Sequence, residues 1–186
     1  MKAKRLFYIL MCLPTVIAIA AYSYLPEQIP AHFNVQGVVD RWSSRAEIFI
    51  LPVVAIVLGI AMILIARHLR KQERFGNNNE KITYIIGSCA MLMFTVILCS
   101  MIYTSFKVTS SVSNMPGIVH KALFIAIGVL FIVMGNVLPK SKKNSWLGIR
   151  TKYSMESEEN WRKSQRVGAI VMFVVGVVIT VYGLLS

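Results

Sequence analysis

The chain has 186 residues, 56% of them hydrophobic, and its 20 Lys and Arg outnumber its 8 Asp and Glu to give a formal net charge of +12. This apolar share exceeds the roughly 45–50% of soluble domains, so the composition argues against a soluble globular protein. The basic residues fall in blocks between long charge-free runs. We therefore expect no direct binding of nucleic acid and predict a membrane protein with basic loops.

Five apolar runs predict five transmembrane helices, because about 20 apolar residues cross a hydrocarbon core of about 30 Å as a helix. In chain order the runs are Leu6–Leu25, Ile48–Ala66, Ile82–Phe106, Ile118–Leu138 and Val167–Leu185. The first run follows three basic residues, as a signal peptide does, but it is longer than the roughly 7–15-residue apolar core of such a peptide. A retained helix is therefore predicted, with cleavage as the alternative.

The distribution of Lys and Arg predicts the orientation of these helices. With five spans, 16 basic residues lie on one side, in the N-terminus and in segments 67–81 and 139–166, against four on the other side. Basic loops are retained in the cytoplasm. The N-terminus is therefore predicted to lie inside the cell and the C-terminus outside.

The predicted fold is an all-α integral membrane protein with a structured extracytoplasmic loop and a basic cytoplasmic loop and helix. The predicted divisions are a two-span module over 1–66 with an extracytoplasmic loop at 26–47, a cytoplasmic connector at 67–81, a third span and outer loop over 82–117, and a two-span module over 118–186 with a cytoplasmic loop at 139–166. Asn77, Asn78 and Asn79, which follow Gly76, are typical of a loop within the connector.

The extracytoplasmic loop has a more specific sequence than a simple connection requires. Pro26 and Pro30 forbid a continuing helix, and the stretch from Asn34 to Gly37 suits a turn that needs positive φ. Apolar alternation around this turn is consistent with a short hairpin on the bilayer. The loop is interpreted either as a cap over the helices or as a surface that meets an extracellular ligand. The candidates for ligand contact are Pro26, Pro30, His32, Phe33, Asn34, Gly37 and Asp40.

A third interpretation of this side is a metal site made by His32, Asp40 and His120, all predicted outside. Imidazole and carboxylate groups are zinc ligands, but these three residues lack the spacing of a zinc motif. No metal and no cofactor is therefore expected.

The cytoplasmic loop from Pro139 to Arg166 is the second segment with a specific sequence. Asn144 and Gly148 predict a turn, and Arg150 has the chemistry to bind phosphate or carboxylate. Ser154 is predicted to cap a helix that continues into the fifth span, with Trp161 at the membrane surface. A basic connector facing lipid is the alternative. The candidate residues of this motif are Asn136, Asn144, Gly148, Ile149, Arg150, Thr151, Trp161 and Arg166; Asn136 is expected to hydrogen-bond a neighbouring helix.

The sequence lacks residues that transport or catalysis would need. The uninterrupted parts of the five spans contain no Asp, Glu, Lys, Arg or His, which argues against proton-coupled transport because such transporters place an ionisable group there. No H-E-x-x-H, G-x-S-x-G or P-loop motif occurs. The chain is therefore not expected to be an enzyme.

Two stretches resemble known families. The stretch from Leu25 to Asp40 has the pattern LPxxIPxHFNxxGxxD of a domain of unknown function common in bacterial membrane proteins. The second stretch resembles the SdpI family through Gly135-Asn136, Lys140, Asn144 and Gly148-Ile149-Arg150-Thr151, followed by Trp161 and Arg166. The resemblance covers about residues 10–60 and 118–185, whereas residues 67–117 match only as hydrophobic spans.

The resemblance implies a multi-pass protein of the bacterial cytoplasmic membrane. Its implied function is non-enzymatic immunity to a secreted antimicrobial peptide toxin, or sensing of envelope stress. The named family member also holds a transcriptional repressor at the membrane, which implies a cytoplasmic regulator as a second partner. That member has a further C-terminal span that this sequence lacks, so the regulator is the weaker implication.

Two other functions remain open from the sequence. One is a small transporter or export accessory that removes a toxic peptide or lipid, which would need an energy source. The other is an envelope enzyme that acts on lipid or peptidoglycan precursors and holds phosphate through Arg150. Such an enzyme would need a nucleophile or an acid–base pair, and the sequence reveals neither.

Overall fold

A computed structural model of the chain describes residues 2–71, 76–108 and 114–186, and these residues are mostly helical. The elements are α1 (Lys2–Tyr22), β1 (Gln28–Phe33), β2 (Val39–Ser44), α2 (Ile50–Arg70), α3 (Gly76–Lys107), α4 (Gly117–Val137), α5 (Lys152–Glu156) and α6 (Glu158–Leu185). Short 3-10 turns at Arg45–Phe49 and Leu138–Lys140 precede α2 and follow α4. Because β1 and β2 form a two-stranded sheet, the fold is mostly helical rather than all-α.

The prediction of five spans is confirmed by five helices that are long and apolar enough to cross a membrane, namely α1, α2 with its preceding turn, α3, α4 with its following turn, and α6. Many large apolar side chains on these helices are exposed, Val178 at 62% for example. Such surface is stable where lipid replaces water, and helices satisfy their own backbone hydrogen bonds there. The chain is a multi-pass membrane protein.

The connections between spans gather at two opposite ends of the helices. At the first end the hairpin of β1 and β2 contacts the start of the α4 segment through a bridge between Val38 and Asn114. At the second end, Asn78 Nδ2 donates to the Lys140 carbonyl at 2.8 Å, and the Lys142 N–H donates to Asn79 Oδ1 at 3.0 Å. We call these the hairpin end (residues 23–49 and 114–116) and the basic end (residues 2–5, 67–71, 76–81 and 138–157).

The asparagines after Gly76 were predicted to form a loop, and this prediction is wrong. Gly76 to Asn79 form the first turn of α3. The side chains of Asn78 and Asn79 reach residues 140 and 142 instead of their own backbone, so tertiary contacts override the local preference of Asn for turns. Residues 72–75 of the predicted connector and 109–113 of the predicted outer loop lie outside the described residues.

The first three spanning helices pack around Phe7 of α1. Its side chain is fully buried with Ala55 of α2 and with Tyr84 and Met91 of α3. A Cβ atom at Gly87 would lie 2.6 Å from the Phe7 ring, so this glycine leaves the space that the ring fills. Inside a membrane the hydrophobic effect does not drive helices together, because lipid is as apolar as their side chains. Helices associate there through close van der Waals packing, which small residues such as glycine allow.

The fourth and fifth spans, α4 and α6, pack through glycines on both helices. A Cβ atom at Gly176 of α6 would lie 2.7 Å from the Gly128 carbonyl oxygen and 2.8 Å from the Ile132 nitrogen of α4. A Cβ atom at Gly135 would lie 2.8 Å from the Ala169 carbonyl oxygen. The two backbones therefore touch along much of their length and form one helical hairpin, which positions the segment between them at the basic end.

Candidate functional site

The β-hairpin at the first end is anchored to the helices on one side and open on the other. The strands pair antiparallel with Ile29 opposite Ser43 and Pro30 opposite Trp42, and the register shifts between Pro30 and Phe33. Ile29 is fully buried in a cluster with Ala18, Ile48 and Leu98. The irregular pairing follows from Pro30, which has no N–H to donate to a ladder.

The tip of the hairpin is a specified turn. Asn34 Oδ1 accepts hydrogen bonds from the N–H groups of Gln36 at 3.0 Å and Val38 at 2.9 Å. Gly37 has φ of 75°, a left-handed conformation that glycine adopts without the strain of a side chain. The Gly37 carbonyl accepts from the Met115 N–H at 2.7 Å, which ties the turn to the residues before α4. Asn34 and Gly37 therefore shape the loop.

Of the other candidates on the hairpin, Pro26, His32 and Asp40 are exposed to solvent. His32 Nδ1 lies 2.6 Å from Asp40 Oδ1, and the two side chains are 63% and 43% exposed. Val35 at the tip is 100% exposed, an unusual place for a β-branched apolar residue. Pro26 is exposed, whereas Pro30 is buried and Phe33 is half-buried. The exposed face of the hairpin is thus a small mixed surface of an imidazole–carboxylate pair and an apolar tip.

The metal interpretation gains no geometric support. His120 packs its ring against Phe124, with centroids 4.6 Å apart, and near Tyr182 at 6.1 Å, on the α4–α6 surface. Across residues 2–71, 76–108 and 114–186, no group of three or more His, Cys, Asp or Glu side chains could hold a metal ion.

At the basic end, Asn144 organises the turn that follows α4. Its Oδ1 accepts from the N–H groups of Trp146 at 2.8 Å and Leu147 at 2.7 Å, and its Nδ2 donates to the Lys142 carbonyl at 2.7 Å. The Asn144 side chain is only 4% exposed. A side-chain amide supplies both acceptors and donors to the backbone of this turn, which lacks the regular hydrogen bonds of a helix or sheet. Asn144 is therefore a structural residue of the loop.

The Gly148–Ile149 step is held by Gln165 of α6. Gly148 has φ of 98°. The fully buried Gln165 accepts from the Ile149 N–H through Oε1 and donates to the Ile149 carbonyl through Nε2, both at 2.9 Å. A Cβ atom at Gly148 would lie 2.7 Å from Gln165 Oε1. The Gln165 side-chain amide thus pairs with both the N–H and the carbonyl of Ile149, as the backbone of a neighbouring β-strand would. A glycine at position 148 leaves the room that the Gln165 amide needs.

Two successive caps begin the helices that follow. Thr151 and Ser154 form a capping box on α5, in which each side chain accepts from the backbone N–H of the other. Ser157 caps α6 by accepting from the Asn160 N–H at 3.0 Å. The prediction that Ser154 is the N-cap of the long helix is therefore wrong. The helix does continue from this region into the fifth span, and its actual cap lies three residues later.

Trp161 is buried against the loop at the basic end, and its position at the membrane surface stays a prediction. Its side chain is 1% exposed, and its indole Nε1 donates to the Ser141 carbonyl at 3.0 Å. The indole joins the start of α6 to the end of α4 across the loop. A buried Trp requires a hydrogen-bond partner for its N–H, and the loop backbone supplies one.

Three other motif residues, Asn136, Arg150 and Arg166, are exposed. Arg150 is exposed, and its guanidinium Nη1 donates to the Ser145 carbonyl. Asn136 accepts from Lys140 Nζ at 3.0 Å, one turn further along the chain, so the prediction that it bonds a neighbouring helix is wrong. Arg166 and Asn136 both line an open cavity of about 360 Å³ on the α4–α6 surface.

The motif residues thus form two groups, those that hold the loop in its conformation and those whose side chains the loop exposes to solvent. Asn144, Gly148, Thr151 and Trp161 hold the backbone, whereas the loop presents Arg150 to solvent. The structural role of Gln165 was not predicted from the sequence. A glutamine among the charged residues before the fifth span is expected to be exposed, because most glutamines are. Its distance of 16 residues from Ile149 gives no local signal of their contact.

Two family models match the chain. Residues 9–56 match DUF1648, a domain of unknown function, and residues 140–186 match the SdpI/YfhL protein family. These matches confirm the resemblance drawn from the two motifs. Neither model includes residues 57–139.

Among curated proteins, the chain is similar to the immunity protein SdpI of Bacillus subtilis, with 22% identity over 181 residues that cover 97% of this chain and 81% of that protein. It is also 42% identical over 66 residues to an uncharacterized protein of Archaeoglobus fulgidus, a match that covers 36% of each chain. No solved structure matches the chain significantly.

Proposed function

Because the chain joins a DUF1648 domain to an SdpI/YfhL-family segment in a multi-pass bacterial membrane protein, we propose that it is a non-enzymatic immunity or sensor protein that protects the cell from a secreted antimicrobial peptide. The observation that carries this proposal is similarity to an immunity protein over 97% of the chain. Similarity of that extent includes both loops and all five spans.

The proposed orientation places the basic end in the cytoplasm and the hairpin end outside. The sequence assigns 16 Lys and Arg to the first side and four to the second. The described parts of segments 67–81 and 139–166 meet through the hydrogen bonds of Asn78 and Asn79. A strong excess of basic residues marks the cytoplasmic face.

The hairpin is then the surface that meets the toxin. Its anchoring through Ile29 and its tie to Met115 hold the exposed tip in one position relative to the helices. A preorganised surface loses little conformational entropy on binding. The exposed Val35 and the His32–Asp40 pair offer an apolar contact beside a polar pair, a combination that suits an amphipathic peptide.

The loop at the basic end is proposed to meet a cytoplasmic regulator. That side of the chain carries 16 basic and five acidic residues, so an acidic protein surface is the complementary partner. Arg150 is exposed, and the rigid turn of Asn144 and Gly148 fixes the direction in which it projects. Planar guanidinium groups bind carboxylates with two parallel hydrogen bonds.

Replacing Arg150 by alanine is expected to abolish protection while the protein still inserts, because the loop would lose its presented guanidinium. The same variant would lose the hydrogen bond from Nη1 to the Ser145 carbonyl, which costs about 1–2 kcal/mol of loop stability. Survival of a sensitive bacterium under peptide toxin is measured, with membrane insertion checked by fractionation. Lys152→Ala, which removes an exposed charge two residues away, is the matched control and should protect fully. Full protection by Arg150→Ala would remove the role given to this residue.

A further inference from the structure

A cavity of about 370 Å³ with charged side chains in its walls opens at the basic end between the first three spanning helices. Its walls include Lys4 of α1, Arg70 of α2, and Asn77, Glu80, Lys81 and Tyr84 of α3. Ligand sites typically enclose about 300–1,000 Å³. The cavity is distant in sequence from both family motifs, and the proposed function assigns nothing to it.

The charge on the cavity walls favours an anion. Among the described lining residues, Lys4, Arg70 and Lys81 contribute three positive charges and Glu80 one negative charge, a net charge of +2. Arg70 Nε lies 3.6 Å from Glu80 Oε2, so the carboxylate is already partnered by one of the cations. Lys4 and Lys81 form no ion pair with a described residue, so both exposed ammonium groups are available to an anion in the cavity.

Tyr84 provides the second, independent observation. Its side chain is 2% exposed, and its buried hydroxyl forms no well-aligned hydrogen bond with a described residue, although the Tyr8 ring lies beside it with the ring centroids 6.4 Å apart. Tyr84 and Lys4 both line the cavity, and Lys4 Nζ lies 5.9 Å from the centroid of the Tyr84 ring, so the cation and this ring share one wall. Leaving a buried donor unsatisfied costs free energy. An acceptor oxygen in the cavity would satisfy it.

We propose that this cavity binds a phosphate group, carried by an anionic lipid headgroup or free in solution. A phosphate offers several acceptor oxygens at once, to two ammonium groups, the Asn77 amide and the Tyr84 hydroxyl. Basic pockets between spanning helices at the cytoplasmic surface suit such headgroups. Asn77 lies in the first turn of α3, where the helix N-terminus adds a partial positive charge.

The test counts lipids retained by the full chain. Protein purified from nanodiscs that hold equal amounts of phosphatidylglycerol and phosphatidylcholine is analysed by native mass spectrometry. We expect the unaltered chain to retain phosphatidylglycerol selectively. The double variant Lys4→Gln/Lys81→Gln should retain about tenfold less, since it loses two charge-assisted contacts. Tyr84→Phe, which keeps the buried ring, should retain about threefold less for the loss of one neutral hydrogen bond.

A second arm and a matched control separate the outcomes. In detergent without lipid, inorganic phosphate is compared with chloride at equal ionic strength for its effect on the thermal midpoint. A phosphate-dependent rise that the double variant lacks, without lipid retention, identifies free phosphate as the ligand. Lys143→Gln/Lys152→Gln removes two charges from the same end outside the cavity walls. An equal loss in this control, or neither retention nor stabilisation by the unaltered chain, would overturn the proposal.

Discussion

Replacing Gly148 by alanine is expected to unfold the loop at the basic end and to abolish protection. A residue with a side chain at φ of 98° is strained by about 1–3 kcal/mol. The new Cβ atom would also lie 2.7 Å from Gln165 Oε1. Moving Gln165 away would break its two hydrogen bonds to Ile149, each of which contributes about 1 kcal/mol. The total expected loss is about 3–5 kcal/mol.

The measurement is tryptophan fluorescence during thermal unfolding in detergent, because Trp161 is buried against this loop and reports its opening. Gly117→Ala is the control, since a Cβ atom there meets nothing within 4 Å. We expect the control to keep the midpoint and the protection of the unaltered chain. A Gly148→Ala protein with an unchanged midpoint would contradict the role of Gln165 as the residue that holds the loop.

Replacing Gly176 by valine is expected to separate α4 from α6. The added side chain would meet two backbone atoms of α4, the Gly128 oxygen at 2.7 Å and the Ile132 nitrogen at 2.8 Å, and neither can rotate away. The helices must move apart and lose van der Waals contact along the interface, at a cost of about 2–4 kcal/mol. Valine also makes the span more apolar, so insertion should not fall. Any loss of thermal stability in this variant is therefore due to the packing of α4 against α6.

Thermal unfolding in detergent, with insertion measured separately, distinguishes these two effects. Val178→Leu enlarges a side chain of the same helix that is 62% exposed to the surroundings, and it should leave the midpoint unchanged. An unchanged midpoint in Gly176→Val would show that α4 and α6 do not pack through their glycines.

The five spans could be predicted because a backbone inside lipid has to satisfy its own hydrogen bonds. An apolar run of about 20 residues does so by forming a helix. The bounds were less predictable. Helix α6 begins at Glu158, nine residues before the apolar run at Val167, because Ser157 caps it and its first turns pack on the loop through Trp161 and Gln165. Hydropathy detects only the apolar part of this helix, and its polar first part was predicted from Ser154, three residues before the actual cap.

The roles of polar loop residues were harder to predict than their positions. Asn144 and Gly148 were singled out as a turn, but the residue that holds the turn, Gln165, lies on another element. Trp161 was predicted to lie at the membrane surface because aromatic residues favour that region, but the sequence had no signal for its burial or for the pairing of its N–H with the Ser141 carbonyl. Contacts between segments far apart in sequence decided both cases. The four-part division of the chain, the toxin-facing residues and the cytoplasmic partner stay predictions.

The measurement that tests the central claim most directly is a killing assay in a sensitive bacterium challenged with secreted peptide toxins. The intact protein is compared with a variant lacking Glu27–Asp40 and with Val35→Asp, which places a charge on the fully exposed hairpin tip. Val35→Ile, which keeps that surface apolar, is the control, and insertion of each variant is confirmed. The account predicts protection by the intact protein and by Val35→Ile, and its loss in the other two. Killing of cells that carry the correctly inserted intact protein, across the toxins tested, would contradict the account.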